Sequence, residues 1–230
     1  MRGFWGDSLF YGAGVSLLAY EVGLLLRRKF QLAVLNPLLI AAACVIGINA
    51  LLGVDYPGYN AGGQYLSYLL TPATVCLAVP LYEQLSLLRK NLAAVLCGLA
   101  AGVLASMVGV LGCALAFGLD HQLYVTLLPK SITTAIGMGV SDELGGIVTI
   151  TVASIVVTGI LGSVIAEGVF ALFRIQEPVA RGLALGNASH AIGTAKAMEM
   201  GQVEGAMSSL AVAVAGLVTV VTASAFAQFL

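Results

Sequence analysis

The sequence predicts an all-α polytopic membrane protein of about seven transmembrane helices plus a re-entrant segment. Three observations predict it. Hydrophobic residues make up 60% of the 230 residues and charged ones 9%, against about 45–50% and about 25% in soluble domains. Ten basic and eleven acidic side chains cannot clothe a water-soluble domain of this length, so apolar surface must face lipid. The runs 31–54, 64–82, 91–119, 144–166 and 205–230 hold no Asp, Glu, Lys or Arg, and each approaches or exceeds the roughly 20 residues a spanning helix needs. They are continuous rather than alternating, which excludes a strand barrel.

The first crossing is 8–26, with Glu21 its single charge. Residues 1–6 carry only Arg2, and no small-residue cleavage site follows a short apolar core, so this segment is expected to remain as a helix. Two further stretches are apolar but short or interrupted: 122–140, with Pro129 and Lys130, and 182–195, with His190. No long polar linker divides the chain, which reads as one membrane domain over 1–230. Within it stand an N-terminal helix (1–30), a repeat A (37–119), a re-entrant segment (120–143) and a repeat B (144–230).

Basic residues set the expected orientation, because short cytoplasmic loops are enriched in Lys and Arg. Arg27, Arg28 and Lys29 follow the first crossing, and Arg89 and Lys90 follow the third. An N-terminus outside satisfies both and leaves the 55–63 loop, free of Lys and Arg, outside as well. Arg174 and Arg181 place the next loop inside only if 122–140 enters and leaves on one side. If 122–140 crosses fully, parity puts that loop outside. The re-entrant choice makes 37–119 and 144–230 inverted repeats of three crossings, with a cytoplasmic C-terminus. The middle crossing of each is interrupted, at 71–80 in the first and 186–195 in the second.

Interrupted helices at matching positions point to a transporter site, since unwound backbone in hydrocarbon survives only where protein, water or substrate satisfies it. Half-helix N-termini also favour anions; the plainer alternative is that Pro and Gly merely kink ordinary helices. Lys130, beside Ser131, Thr133 and Thr134, is a buried cation that attracts an anion or a lysine that snorkels to the interface. His190 is a proton-responsive group or a packing residue. Asn187, Ser189 and Thr194 line the same break. Glu21 and Glu167 read as interfacial acids. Cys44, Cys76, Cys97 and Cys113 lie in apolar runs without metal-ligand or redox spacing and read as packing residues. Gly98/Gly102 and Gly109/Cys113 suit close helix contacts. No catalytic triad, metal motif or phosphate loop is present, so no enzyme activity, cofactor or metal is expected. A net charge of −1 without a basic arm argues against nucleic acid.

Residues 72–82 (PATVCLAVPLY), 128–134 (LPKSITT), 182–197 (GLALGNASHAIGTAKA) and 198–211 (MEMGQVEGAMSSLA) together resemble the LrgB/CidB family, from about Asn36 to the C-terminus. Departures from the family's usual pattern are Thr71 for glycine, Ala135 for proline, Asn187 for threonine and Lys196 for arginine; they bear on substrate preference rather than on fold. The resemblance implies two activities. One is antiholin-like regulation of murein hydrolases and cell lysis with a small LrgA/CidA-type membrane partner. The other is transport of small 2-hydroxy or 2-keto monocarboxylates (glycolate, glycerate, lactate or pyruvate), as in the related plastidial translocator. In the transport reading Thr71, Ala73, Thr74, Lys130, Ser131, Thr133, Thr134, Asn187, Ser189, His190 and Thr194 hold the substrate. A homo-oligomer, expected as a dimer embedded in lipid of the inner membrane, goes with either.

Overall fold

The computed structural model describes residues 8–30, 36–69, 72, 75, 76 and 78–230. It forms two compact units, Met1–Cys76 and Leu77–Leu230, and among the described residues it is helical with no strand.

In the first unit α1 (Tyr11–Phe30) packs on α2 (Pro37–Leu52) and α3 (Tyr56–Ser67). Asn36 caps α2 through a bond from the Leu38 amide, and Asp55 caps α3, each satisfying donors that a helix start leaves open. Gly12 lies directly on the backbone of Tyr59 and Gly63, and Gly23 on that of Pro37. Close approach of this kind lets polar groups pair between helices: Tyr11 donates to Asn49 Oδ1 at 2.8 Å, and Ser16 and Tyr59 share a bond at 2.8 Å. The expected interruption at 71–80 falls largely outside the described residues, and with it Thr71, Ala73 and Thr74.

The second unit begins with the short helices α4 (Ala78–Glu83) and α5 (Leu85–Lys90) and is built around three long apolar helices. These are α6 (Leu92–Phe117), α9 (Val148–Leu172) and α11 (Gln202–Phe226). At 25 or 26 residues each, and 1.5 Å per residue, each is about 38 Å long and apolar enough to cross a bilayer core of about 30 Å. Between them lie two helical hairpins.

The first hairpin is α7 (His121–Leu127) and α8 (Thr134–Glu143). Its base closes on itself: Gln122 Nε2 donates to Gly145 O at 3.4 Å, and the Ile147 amide to Thr126 Oγ1 at 2.8 Å. Thr151 on α9 completes the seam by donating to Thr126 O and Ser141 Oγ. The two ends of 121–147 therefore stand at one end of the unit, and the chain doubles back through 128–133. Pro129 makes the turn possible, because it cannot continue a helix ladder.

The second hairpin is α10 (Pro178–Met200), whose helix is broken at His190 (φ 43°, ψ −136°). Gly182 lies against Glu204 and Met207, and Gly186 against Ser208 and Ala211. On the return arm Thr194 meets Ser208 at 2.8 Å, and Met198 meets Gly205. Residues 182 and 198 thus share one level of α11, and 186 and 194 another. The expected crossing at 182–195 does not occur. Its interruption is present, but the chain returns instead of passing through, so 144–230 is span, hairpin, span rather than three crossings.

The hairpins enter from opposite ends. The first packs Tyr124, Val125, Leu128 and Ile132 against Val110 and Ala114 of α6 and Ala223 of α11; Tyr124 also donates to Phe226 O at 2.8 Å. The second packs Val179 with Val95 of α6 and Met207 of α11, and Leu185 and Ala197 with Ala166 and Phe170 of α9. The C-terminus accordingly sits at the end that holds Gln122 and Gly145, a full helix length from Arg174 and Arg181. A cytoplasmic C-terminus and a cytoplasmic 174–181 loop do not go together: without the crossing at 182–195, parity reverses the expected C-terminal side. Cys97 and Cys113 also depart from expectation, being exposed on the outer face of α6, as is the Gly109 side of that helix.

Candidate functional site

The hairpin tips meet beside the middle of α6. Ser131 and Ser106 share a bond at 3.1 Å, and Asn187 Nδ2 donates to Leu99 O at 3.0 Å. Leu128, Ser131 and Ile132 of one tip and Asn187 of the other line a small internal space with Ser106 and Thr219. Beside it opens a cavity of about 920 Å³ between α6, α9 and the arm 178–189. Lys130, Ser131, Asn187 and Ser189 line it, with Ser106 and Thr158.

Glycines set the approach of the second tip. Gly102 lies under the Asn187 amide, Gly162 under Ser189 Oγ, and Gly159 against the His190 ring. At Gly102 and Gly162 a Cβ would occupy the space of the polar atom itself. Of the expected Gly98/Gly102 pair, Gly102 makes the close contact, directed at Asn187 of α10, whereas a Cβ at Gly98 would meet Leu183 at an ordinary van der Waals distance of 3.9 Å.

The polar inventory of the cavity is unbalanced. Ser189 is 1% exposed, and its Oγ has no hydrogen-bond partner among the described residues, although a buried hydroxyl left unpaired costs about 1–3 kcal/mol. Lys130 Nζ donates to Ser131 Oγ at 2.9 Å and to Ser106 Oγ at 3.5 Å. Both partners are neutral, and among the described residues no carboxylate pairs with it. An uncompensated ammonium within a bilayer costs at least ~2.5–3.5 kcal/mol. The unpaired hydroxyl and the cation both favour an acceptor with negative charge.

Not every expected residue reaches this space. Thr133 and Thr134 form the start of α8, with Thr133 in extended conformation at the cap, and do not line the cavity. His190 turns away from it: Nε2 lies 3.0 Å from Ile155 O, an acceptor only, so this nitrogen carries the hydrogen. Thr194 donates to His190 O at 3.0 Å and bonds Ser208 at 2.8 Å, holding the return arm on α11. None of these four lines the cavity, and the bonds of His190 and Thr194 hold the second hairpin in place. Ser106 and Thr158 line the cavity without having been expected there, because single hydroxyl residues in apolar helices carry no periodic signal. Away from the cavity, Lys196 pairs with Glu167 of α9 and lies 3.8 Å from Glu199, which fastens the second hairpin near its base and accounts for Glu167.

Residues 16–229 match the model of the LrgB-like family. The chain is similar to the antiholin-like protein LrgB of Bacillus mycoides (strain KBAB4), of Bacillus cereus (strain B4264) and of Bacillus anthracis (strain CDC 684 / NRRL 3495). Each is 37% identical over 222 residues, covering 96% of either chain. No solved structure matches it significantly. With the family model covering nearly all of both units and identity sustained along the full length, this membrane protein belongs to the LrgB-like family.

Proposed function

We propose that the chain is an antiholin-like protein of the inner membrane, acting with a small LrgA/CidA-type membrane partner and without covalent chemistry. The observation that carries this reading is the 37% identity, over 96% of both chains, to proteins named antiholin-like. Loss of the chain raises autolysis and extracellular murein hydrolase activity, and restoring it reverses both. Unchanged lysis in its absence, with the partner expressed, overturns the reading.

A second reading has its own support: the chain carries a small monocarboxylate, and binding at the hairpin tips is how it works. The cavity is lined both by Ser189, whose Oγ has no partner among the described residues, and by Lys130, which meets no carboxylate among them, and this supports it. In this reading 121–143 is re-entrant, and the hairpin-plus-span units 121–172 and 178–226 are inverted repeats, an arrangement that suits alternating access. Proteoliposomes holding the chain take up radiolabelled lactate or glycolate above empty vesicles. Uptake equal to that of empty vesicles, with and without a proton gradient and the partner, overturns it.

A further inference from the structure

The cavity is far larger than a two- or three-carbon acid. Such a molecule fills on the order of 100 Å³, a few water volumes of roughly 30 Å³, whereas the cavity holds about 920 Å³. Its polarity is also graded. Lys130, Ser131 and Ser189 stand at the inner end, where the hairpin tips meet. Gly98, Leu161, Ile165 and Leu183 form apolar walls leading away from them, and Asn91 and Glu177 mark the far mouth. Along α6 the distance from Ser106 to Asn91 is roughly 22 Å at 1.5 Å per residue.

We propose that this cavity binds an amphipathic monocarboxylate, its head on Lys130, Ser131 and Ser189 and its apolar body along the wall between α6, α9 and the arm 178–189. The proposal rests on the reading of the tips as a carboxylate site and adds the class of ligand. Among the described residues a single cation, Lys130, lines the cavity, so the head is a monoanion. Glu177 at the mouth repels a second carboxylate, so the far end of the ligand is uncharged. A hydrocarbon chain or an apolar face of a second copy covers the wall equally well, but such an apolar cover brings no charge to Lys130.

The test is thermal stabilisation of the detergent-purified full chain by acetate, butyrate, hexanoate and octanoate, with octanedioate and octylamine as controls. The apparent affinity rises with each methylene, by up to roughly fourfold, as burial of about 0.8 kcal/mol per CH₂ gives. Octanedioate and octylamine bind at least tenfold more weakly than octanoate. Ser189→Ala weakens every acid, and Ala184→Phe or Ala94→Phe, which fill the wall, remove the chain-length slope. A flat series, with acetate equal to octanoate, overturns the amphipathic assignment and leaves the carboxylate site standing. Absence of binding by any acid overturns both. Equal stabilisation by octylamine, or a slope that persists in both phenylalanine variants, marks partition into detergent and overturns the proposal. So does a disulfide between copies through Ala184→Cys in a cysteine-free background, which assigns the groove to a second molecule.

Discussion

Ser189 and Lys130 bring opposite expectations for stability and for binding, and that opposition distinguishes a ligand site from a packing seam. Ser189 Oγ is buried without a partner, so removing it relieves a desolvated group. Ser189→Ala leaves the unfolding midpoint unchanged or raises it, while anion affinity falls tenfold to a hundredfold, the worth of a hydrogen bond to a charged group at about 1.5–3 kcal/mol. Lys130→Met follows the same logic more strongly: the apo protein gains stability and anion binding is lost. Thermal unfolding with and without ligand reads both. The glycines beneath the tip behave in the reverse sense. Gly162→Ala drives a methyl group into Ser189 Oγ and Gly102→Ala into the Asn187 amide, so each lowers stability by about 1–3 kcal/mol. Lys130 and Ser189 were legible as candidates because polar groups in apolar runs are conspicuous. Ser106, Gly159 and Gly162 were not, because their roles depend on which helix faces them.

The breaks were readable in the chain, but their angles were not. Pro129 and the short apolar length of 122–140 announced a turn, and the first hairpin follows. At 182–195 the composition predicted an interruption but gave no sign that the helix reverses: the residue at the turn is a histidine, with φ 43°, where glycine is the usual choice. What holds it there is tertiary, since Nε2–H donates to Ile155 O and the ring packs on Gly159. Strain of about 1–3 kcal/mol at such a residue is opposed by a bond worth about 0.5–1.5 kcal/mol. His190→Ala keeps the strain and loses the bond, whereas His190→Gly loses both. The glycine variant is therefore the more stable of the two by about 1 kcal/mol, measured by denaturation in detergent. If alanine proves equal or better, residue 190 does not hold a positive φ. The Lys196–Glu167 pair is partly exposed on its acidic side, so Lys196→Met costs at most about 1 kcal/mol.

The reversal at His190 changes the side on which everything after it lies. Parity over 144–230 gave three crossings and placed the C-terminus with Arg174. With 178–200 returning, Arg174 and the end of α11 lie at opposite ends of the unit, and Phe226 accepts from Tyr124 of the first hairpin. Labelling of single cysteines in intact cells and inverted vesicles, with the native cysteines replaced, tests this. Asp142→Cys and Phe229→Cys react from one face; Arg174→Cys, Glu177→Cys and Glu199→Cys react from the other. Basic residues concentrate on the cytoplasmic side, so the second group is the one protected in intact cells. Should Phe229→Cys react together with Arg174→Cys, the segment 178–200 crosses the membrane. The opposed hairpins, and the carrier reading they support, then fail together, while the antiholin-like reading, which depends on family membership alone, stands.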